Sequence, residues 1–91
     1  MIGYDGPRGG ELRKVHRPAH LAGLEPLAMA GRIRHAGPML GEHGAPIGSV
    51  VVFEAHNLAE ARAIAARDPY VTGGVFARYE LRETAAVFPK S

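Results

Sequence analysis

Apolar residues recur along this chain in two rhythms that alternate in blocks. From Glu11 onward the spacing is three and four. Leu12, Val15, Ala19 and Ala22 form one stripe, and Leu21, Leu24 and Ala28 continue a neighbouring one. That period predicts a helix. Pro18 and Pro26 fall inside it. A first turn tolerates proline, so the main helix is expected to begin near Pro18, and Pro26 is expected to bend it. Gly31 suits the residue just past the C-terminal cap. A second helical block follows Asn57, which reads as an N-cap, with Glu60 completing a capping box three residues on. Leu58, Ala61, Ile64 and Ala65 make its inner face, and Arg62 and Arg67 its outer one. Asp68-Pro69 ends it, because a residue before proline avoids helical backbone.

The other rhythm is that of strands. Ser49 to Phe53 is β-branched and nearly all apolar, which predicts a central strand from Gly48 to Phe53 with both faces covered. Val75 to Arg82 alternates, placing Val75, Ala77, Tyr79 and Leu81 on one face. Met1 to Tyr4 reads as a short strand broken by Gly6-Pro7. Arg32 to His35 reads as another, ended by Gly37-Pro38. Met39 to Ile47, with two Gly and one Pro, reads as a loop. Within it Gly41-Glu42-His43-Gly44 is either an exposed connector or a lid. The tail from Glu83 has little pattern.

The order β-α-β-β-α-β predicts an α+β fold, the ferredoxin-like sandwich of four antiparallel strands with both helices on one face. The opposite face then carries apolar residues drawn from Val50 to Phe53. A second copy of the chain is the expected cover, giving a homodimer.

Length and charge narrow the function classes. Ninety-one residues make one domain, 1–91. The formal charge is +2, the basic residues are scattered, and with three Tyr, three Phe and no Trp there is no basic-aromatic platform. Nucleic acid is therefore not an expected partner. There is no Cys, which removes thiolate catalysis, disulfides and Cys-based metal sites. No apolar run approaches the ~20 residues of a membrane span. The opening Met1-Ile2-Gly3-Tyr4-Asp5-Gly6-Pro7 lacks a basic stretch followed by an apolar one. No signal peptide and a cytoplasmic location are the expectations.

Two segments carry candidate chemistry. Arg17-Pro18-Ala19-His20 supplies an imidazole, and Asp68-Pro69-Tyr70 a carboxylate. A carboxylate that orients an imidazole fixes its tautomer and raises its basicity. On residue type alone, a structural histidine bonded to backbone is the favoured reading of His20, and a simple helix terminator the commoner role of Asp68. Placed in an early turn, His20 would be favoured as neutral imidazole. Placed at a helix C-terminus, Asp68 would need a partner against the dipole. Either residue could be the base. Tyr70 either lines a pocket or packs with its hydroxyl in water. Arg17 either binds an anionic group or is a solvated helix charge. Ser49 lacks the glycine pattern of a nucleophile elbow. His16 and His20 have the i, i+4 spacing of metal ligands, but no Glu follows His16. His35, His43 and His56 are scattered, so no metal site is expected. No phosphate-loop pattern is present, and no cofactor is expected.

The motifs Arg17-Pro18-Ala19-His20-Leu21, Ala30-Gly31-Arg32-Ile33, Ala36-Gly37-Pro38-Met39, Gly48-Ser49 and Asp68-Pro69-Tyr70-Val71 occur together in order. In that order and spacing the chain resembles the YciI-like (YCII-related) proteins, from about Arg17 to Leu81. The resemblance implies a dimeric α/β barrel and a cleft centred on His20 and Asp68, with Arg17, Gly37, Pro38, Ser49 and Tyr70 as substrate-binding candidates. It implies no reaction, because the broader superfamily holds muconolactone isomerases, dehydrochlorinases, monooxygenases without cofactors and stress-response proteins. A cofactor-independent isomerase, lyase or hydrolase acting on a small organic substrate, aromatic-derived or enolisable, is the leading expectation. The alternatives are a non-catalytic dimeric binding or regulatory domain, and a heme- or metal-associated member of the superfold. Two departures stand out. The first strand begins at Met1, shorter than the family's, so either the strand is truncated or the start lies upstream, and a short strand is expected to leave an unpaired edge or neighbour in the sheet. The closing segment is Phe88-Pro89-Lys90.

Overall fold

The structure, a computed structural model, describes residues 1–89. Lys90 of the closing segment lies outside them. The elements are β1 (Ile2–Asp5), α1 (Gly9–Met29), β2 (Ile33–Leu40), β3 (Pro46–Phe53), α2 (Leu58–Ala66), α3 (Pro69–Thr72) and β4 (Phe76–Glu80). The strands form one antiparallel sheet in the order β2-β3-β1-β4. This is the expected ferredoxin-like α+β sandwich, the protomer fold of dimeric α/β barrels. The short extra helix α3 follows α2.

α1 begins nine residues before Pro18, not near it, and carries both prolines inside. An internal proline removes one helical hydrogen bond and costs about 3 kcal/mol or more. The helix tolerates two because its buried contacts lie on either side of them. Arg13, His20 and Leu27 are buried and spaced seven apart, two turns each, so one face of α1 is pinned along its length. Its end is as expected. Gly31, at φ 71°, lets the Arg32 amide reach the Leu27 carbonyl and its own amide reach that of Ala28, the Schellman arrangement.

β2 continues through Gly37-Pro38 to Leu40, and β3 begins at Pro46. The expected loop is thus mostly hairpin. Pro38 does not end the strand, because β2 is the sheet edge, where a missing amide leaves no partner unsatisfied. The turn between them is closed by the Gly41 amide on the Ala45 carbonyl at 2.8 Å. β1 is short but central. It pairs with β3 over Ile2–Tyr4 and with β4 over Ile2–Asp5, so neither side is bare, contrary to expectation.

In β4 the simple alternation fails. A register shift between Tyr4 and Asp5 sets Phe76 opposite Asp5 and Arg78 opposite Tyr4. Such a bulge adds a residue and resets which face follows. Val75 and Phe76 are both buried, while Ala77 and Tyr79 are exposed. Asn57 caps α2 as expected, accepting from the Glu60 amide at 2.8 Å. The Glu60 carboxylate reaches the His56 amide rather than that of Asn57. Of the predicted inner face of α2, Ala65 is buried and Leu58 is exposed.

Opposite partners in the ladders share a face. Ser49 faces α1, so Val51 does too, and Gly48, Val50 and Val52 face away together with Ile2 and Tyr4. On that open face Gly48 lies between β1 and β2. A Cβ there would strike the Gly3 carbonyl oxygen and Met39 Cε. Gly48→Ala is therefore expected to cost about 1–3 kcal/mol as overpacking, read as a lower urea midpoint. An unchanged midpoint would mean that β1 moves aside freely.

Candidate functional site

Three elements build the site: one face of α1, the start of α3, and the hairpin of β2 and β3. Asp68 sits in extended backbone (φ −63°, ψ 128°), as a residue before proline must, and is the N-cap of α3. Its Oδ1 accepts from the Tyr70 amide at 2.8 Å. It is therefore held at the favourable end of a short helix, not stranded against the dipole of α2. His20 lies mid-helix in α1, so the early-turn polarity expected for it does not apply.

The two residues meet. His20 Nδ1 and Asp68 Oδ1 are 2.7 Å apart, with side chains only 8% and 7% exposed. Asp68 Oδ1 already accepts the Tyr70 amide, so the imidazole Nδ1–H donates to it. The imidazole also stacks on the Tyr70 ring, centroids 3.8 Å apart and planes within 2°. Tyr70 in turn packs edge-on to Phe76 at 5.8 Å. Such aromatic pairs contribute about 0.5–1.5 kcal/mol each beyond burial. The ring of His20 is thus fixed by one hydrogen bond and one stack. Nε2 has no hydrogen-bond partner among the described residues, yet none of their buried side-chain nitrogens or oxygens lacks one. Nε2 is therefore open to solvent.

Two hollows flank His20. One of about 490 Å³ includes Asp68, Arg67 and Ile64. The other, of about 540 Å³, is bordered by His20 together with Arg17, Gly37, Pro38, Ser49 and Tyr70. Asp68 borders only the first, and His20 borders both. Arg17 is exposed at its rim, and Ser49 and Tyr70 are buried in its wall. Gly37 and Pro38 reach it from within β2 rather than from a turn. Burial raises the Tyr70 phenol above its ordinary range, against the pull of the Arg13 and Arg17 charges, and keeps it a hydrogen-bond donor.

Sequence reasoning missed two residues, Arg13 and Asp5. Arg13 donates from Nε and Nη2 to the Asp5 carboxylate at 2.6 and 2.8 Å, and from Nη2 to Ser49 Oγ at 3.0 Å. Its guanidinium lies 5.0 Å from the centre of the Tyr70 ring. The bond to Asp5 pushes its already high pKa higher. The available signal was the spacing of Arg13, Arg17 and His20 on one helical face. Starting the helix at Pro18 hid it.

Among the described residues no group of three or more His, Cys, Asp and Glu side chains could hold a metal ion. His16 shares the helix with His20, but His20 Nδ1 is taken by Asp68. No helix of these residues is long and apolar enough to cross a membrane.

Fold and site together define a small α+β protein with a largely apolar cleft, edged by cationic side chains, beside a buried imidazole–carboxylate pair. The chain belongs to the YCII-related domain family, whose model matches residues 1–85. It is similar to Protein YciI of Escherichia coli, at 40% identity over 84 residues, 86% of each chain. An uncharacterized protein of Haemophilus influenzae is 34% identical over 94 residues, covering 97% of this chain and 96% of that one. Among solved structures, 5-chloro-2-hydroxyhydroquinone dehydrochlorinase (TftG) of Burkholderia phenoliruptrix, in complex with 2,5-dihydroxybenzoquinone, superposes with a TM-score of 0.74. It is 28% identical, and the match covers 92% of this chain and 96% of that one.

Proposed function

We propose that this chain is a small cofactor-independent enzyme in which His20 is the general base and Asp68 holds and stabilises it. The observation that carries this is the 2.7 Å bond from His20 Nδ1 to Asp68, in a histidine that borders the cleft. A neutral imidazole so held presents a lone pair at Nε2 and becomes an imidazolium beside a carboxylate once it takes a proton. The substrate is a small hydroxylated or enolisable ring. A hydroxyl proton passes to Nε2, and the electron pair left on oxygen delocalises into the ring. Return of the proton to a ring carbon completes a tautomerisation. Where that carbon carries a halide, departure of the halide with its bonding pair and loss of a second hydroxyl proton give net loss of hydrogen halide. The dehydrochlorinase neighbour, which acts on a chlorinated hydroxyhydroquinone, supports this chemistry. The test is halide release and proton exchange on chlorinated and plain trihydroxybenzenes, compared with His20→Ala and Asp68→Asn.

The working form is a homodimer. The open face of the sheet carries Ile2, Val50 and Val52, and two such faces packed together would cover them. Light scattering at micromolar concentration is expected to give twice the chain mass, and Val50→Lys to give the single mass. A monomeric wild type would overturn the dimer.

A further inference from the structure

We propose that Arg13 is the anion-binding group of this cleft, and that its ligand is a planar ring bearing an ionised oxygen, a carboxylate or phenolate, seated against Arg13 with the ring beside His20. This rests on His20 being the base of the proposed reaction. It adds what the base acts upon.

The polar atoms bordering the cleft are almost all donors. Arg13 spends Nε and Nη2 on Asp5 and Ser49. These take three of its five N–H groups and the side-chain hydrogen bond with Tyr70 takes a fourth, which leaves one on Nη1 without a side-chain partner among the described residues. Arg13 is buried in the fold and borders the cleft. Ser49 Oγ accepts from Arg13, which leaves its own hydroxyl proton to be donated. The Tyr70 hydroxyl is held protonated by burial. Lys14 and Arg17 stand at the rim, with no ion pair among the described residues. No Asp or Glu borders the cleft.

Against these donors, His20 Nε2 is the one nitrogen acceptor among the side chains that border the cleft. The complementary ligand is rich in acceptor oxygens, carries negative charge, and has one acidic proton to give. Arg13 suits that ligand because it is rigid. The bidentate grip of Asp5 fixes the guanidinium plane, and Nη1 needs no reorganisation to meet an oxyanion. A flat ring also matches the cleft, whose inner wall is the stacked pair of His20 and Tyr70.

The experiment is calorimetric titration of the full chain with 2,5-dihydroxybenzoate and with its methyl ester, which has the same ring without the ionised group. The acid is expected to bind about 10- to 100-fold tighter, the worth of a charge-assisted hydrogen bond. Equal binding, or no binding of either, overturns the proposal. The double variant Asp5→Asn, Arg13→Gln removes both buried charges together, and in the folded protein it is expected to lose the preference. Retention of the preference there overturns the role of Arg13. Lys14→Ala with Arg17→Ala changes only exposed side chains. It is expected to weaken acid binding and flatten its salt dependence. No change in either would place the anion elsewhere. The preference is also expected in His20→Ala, so the anion site is read separately from catalysis. Lost turnover with the preference intact leaves it standing, and intact turnover without the preference removes it alone.

Discussion

His20→Ala is expected to lower kcat/KM by about 10²- to 10⁴-fold on any substrate the wild-type chain turns over, the span a positioned general base contributes. Nothing else bordering the cleft is placed to take the proton. Ser49 Oγ accepts from Arg13, Tyr70 is a buried phenol, and the carboxylates of Asp5 and Asp68 are engaged with Arg13 and His20. Asp68→Asn is expected to cost less, about 10- to 100-fold, the value of one charge-assisted hydrogen bond. An asparagine oxygen can still accept the Tyr70 amide and the imidazole Nδ1–H, so the geometry is kept. What is lost is the negative charge beside the imidazolium. Both losses should fall on kcat, because neither residue is offered as the holder of the substrate anion. Wild-type turnover in both variants would end the assignment of His20 and Asp68.

Asp5→Ala is expected to destabilise the fold by about 3–5 kcal/mol, because it leaves the Arg13 cation buried without its counter-ion. The two side chains are 11% and 7% exposed and bonded twice. For a chain of this length that loss lowers Tm by at least about 12 °C. It would consume much of a stability that is ordinarily only about 5–15 kcal/mol. The companion Asp5→Leu, Arg13→Met should recover most of it, since a buried pair exchanged for apolar residues of similar volume is often neutral or stabilising. If the pair is as unstable as the single variant, the cost lies in packing and not in the stranded charge. Recovery of stability without ligand binding would also show why a costly ion pair stands beside the cleft.

Much of this fold was legible along the chain because the signals are local. The Gly31 terminus, the Asn57 cap and the apolar run of β3 each depend on residues a few positions apart. The prolines were misread for the opposite reason. Whether Pro18 ends a helix depends on the anchors Arg13 and His20 make to other elements. Whether Pro38 ends a strand depends on β2 being at the edge. The bulge opposite Tyr4 belongs to a pair of strands, so it left no mark in the alternation of β4 alone.

The candidate site divides in the same way. By itself the sequence determined the order of elements, the ferredoxin-like class and the family, and with the family the residues His20 and Asp68. Periodicity, caps and motif order are written within short stretches of chain. Only the tertiary structure decided that an imidazole and a carboxylate 48 residues apart share a hydrogen bond. It alone made Asp68 the cap of α3 and brought Arg13, gripped by Asp5, into the wall of the cleft. Those facts follow from how α1 crosses the sheet and where the chain returns after α2. They rest on contacts between distant segments, which no local pattern encodes.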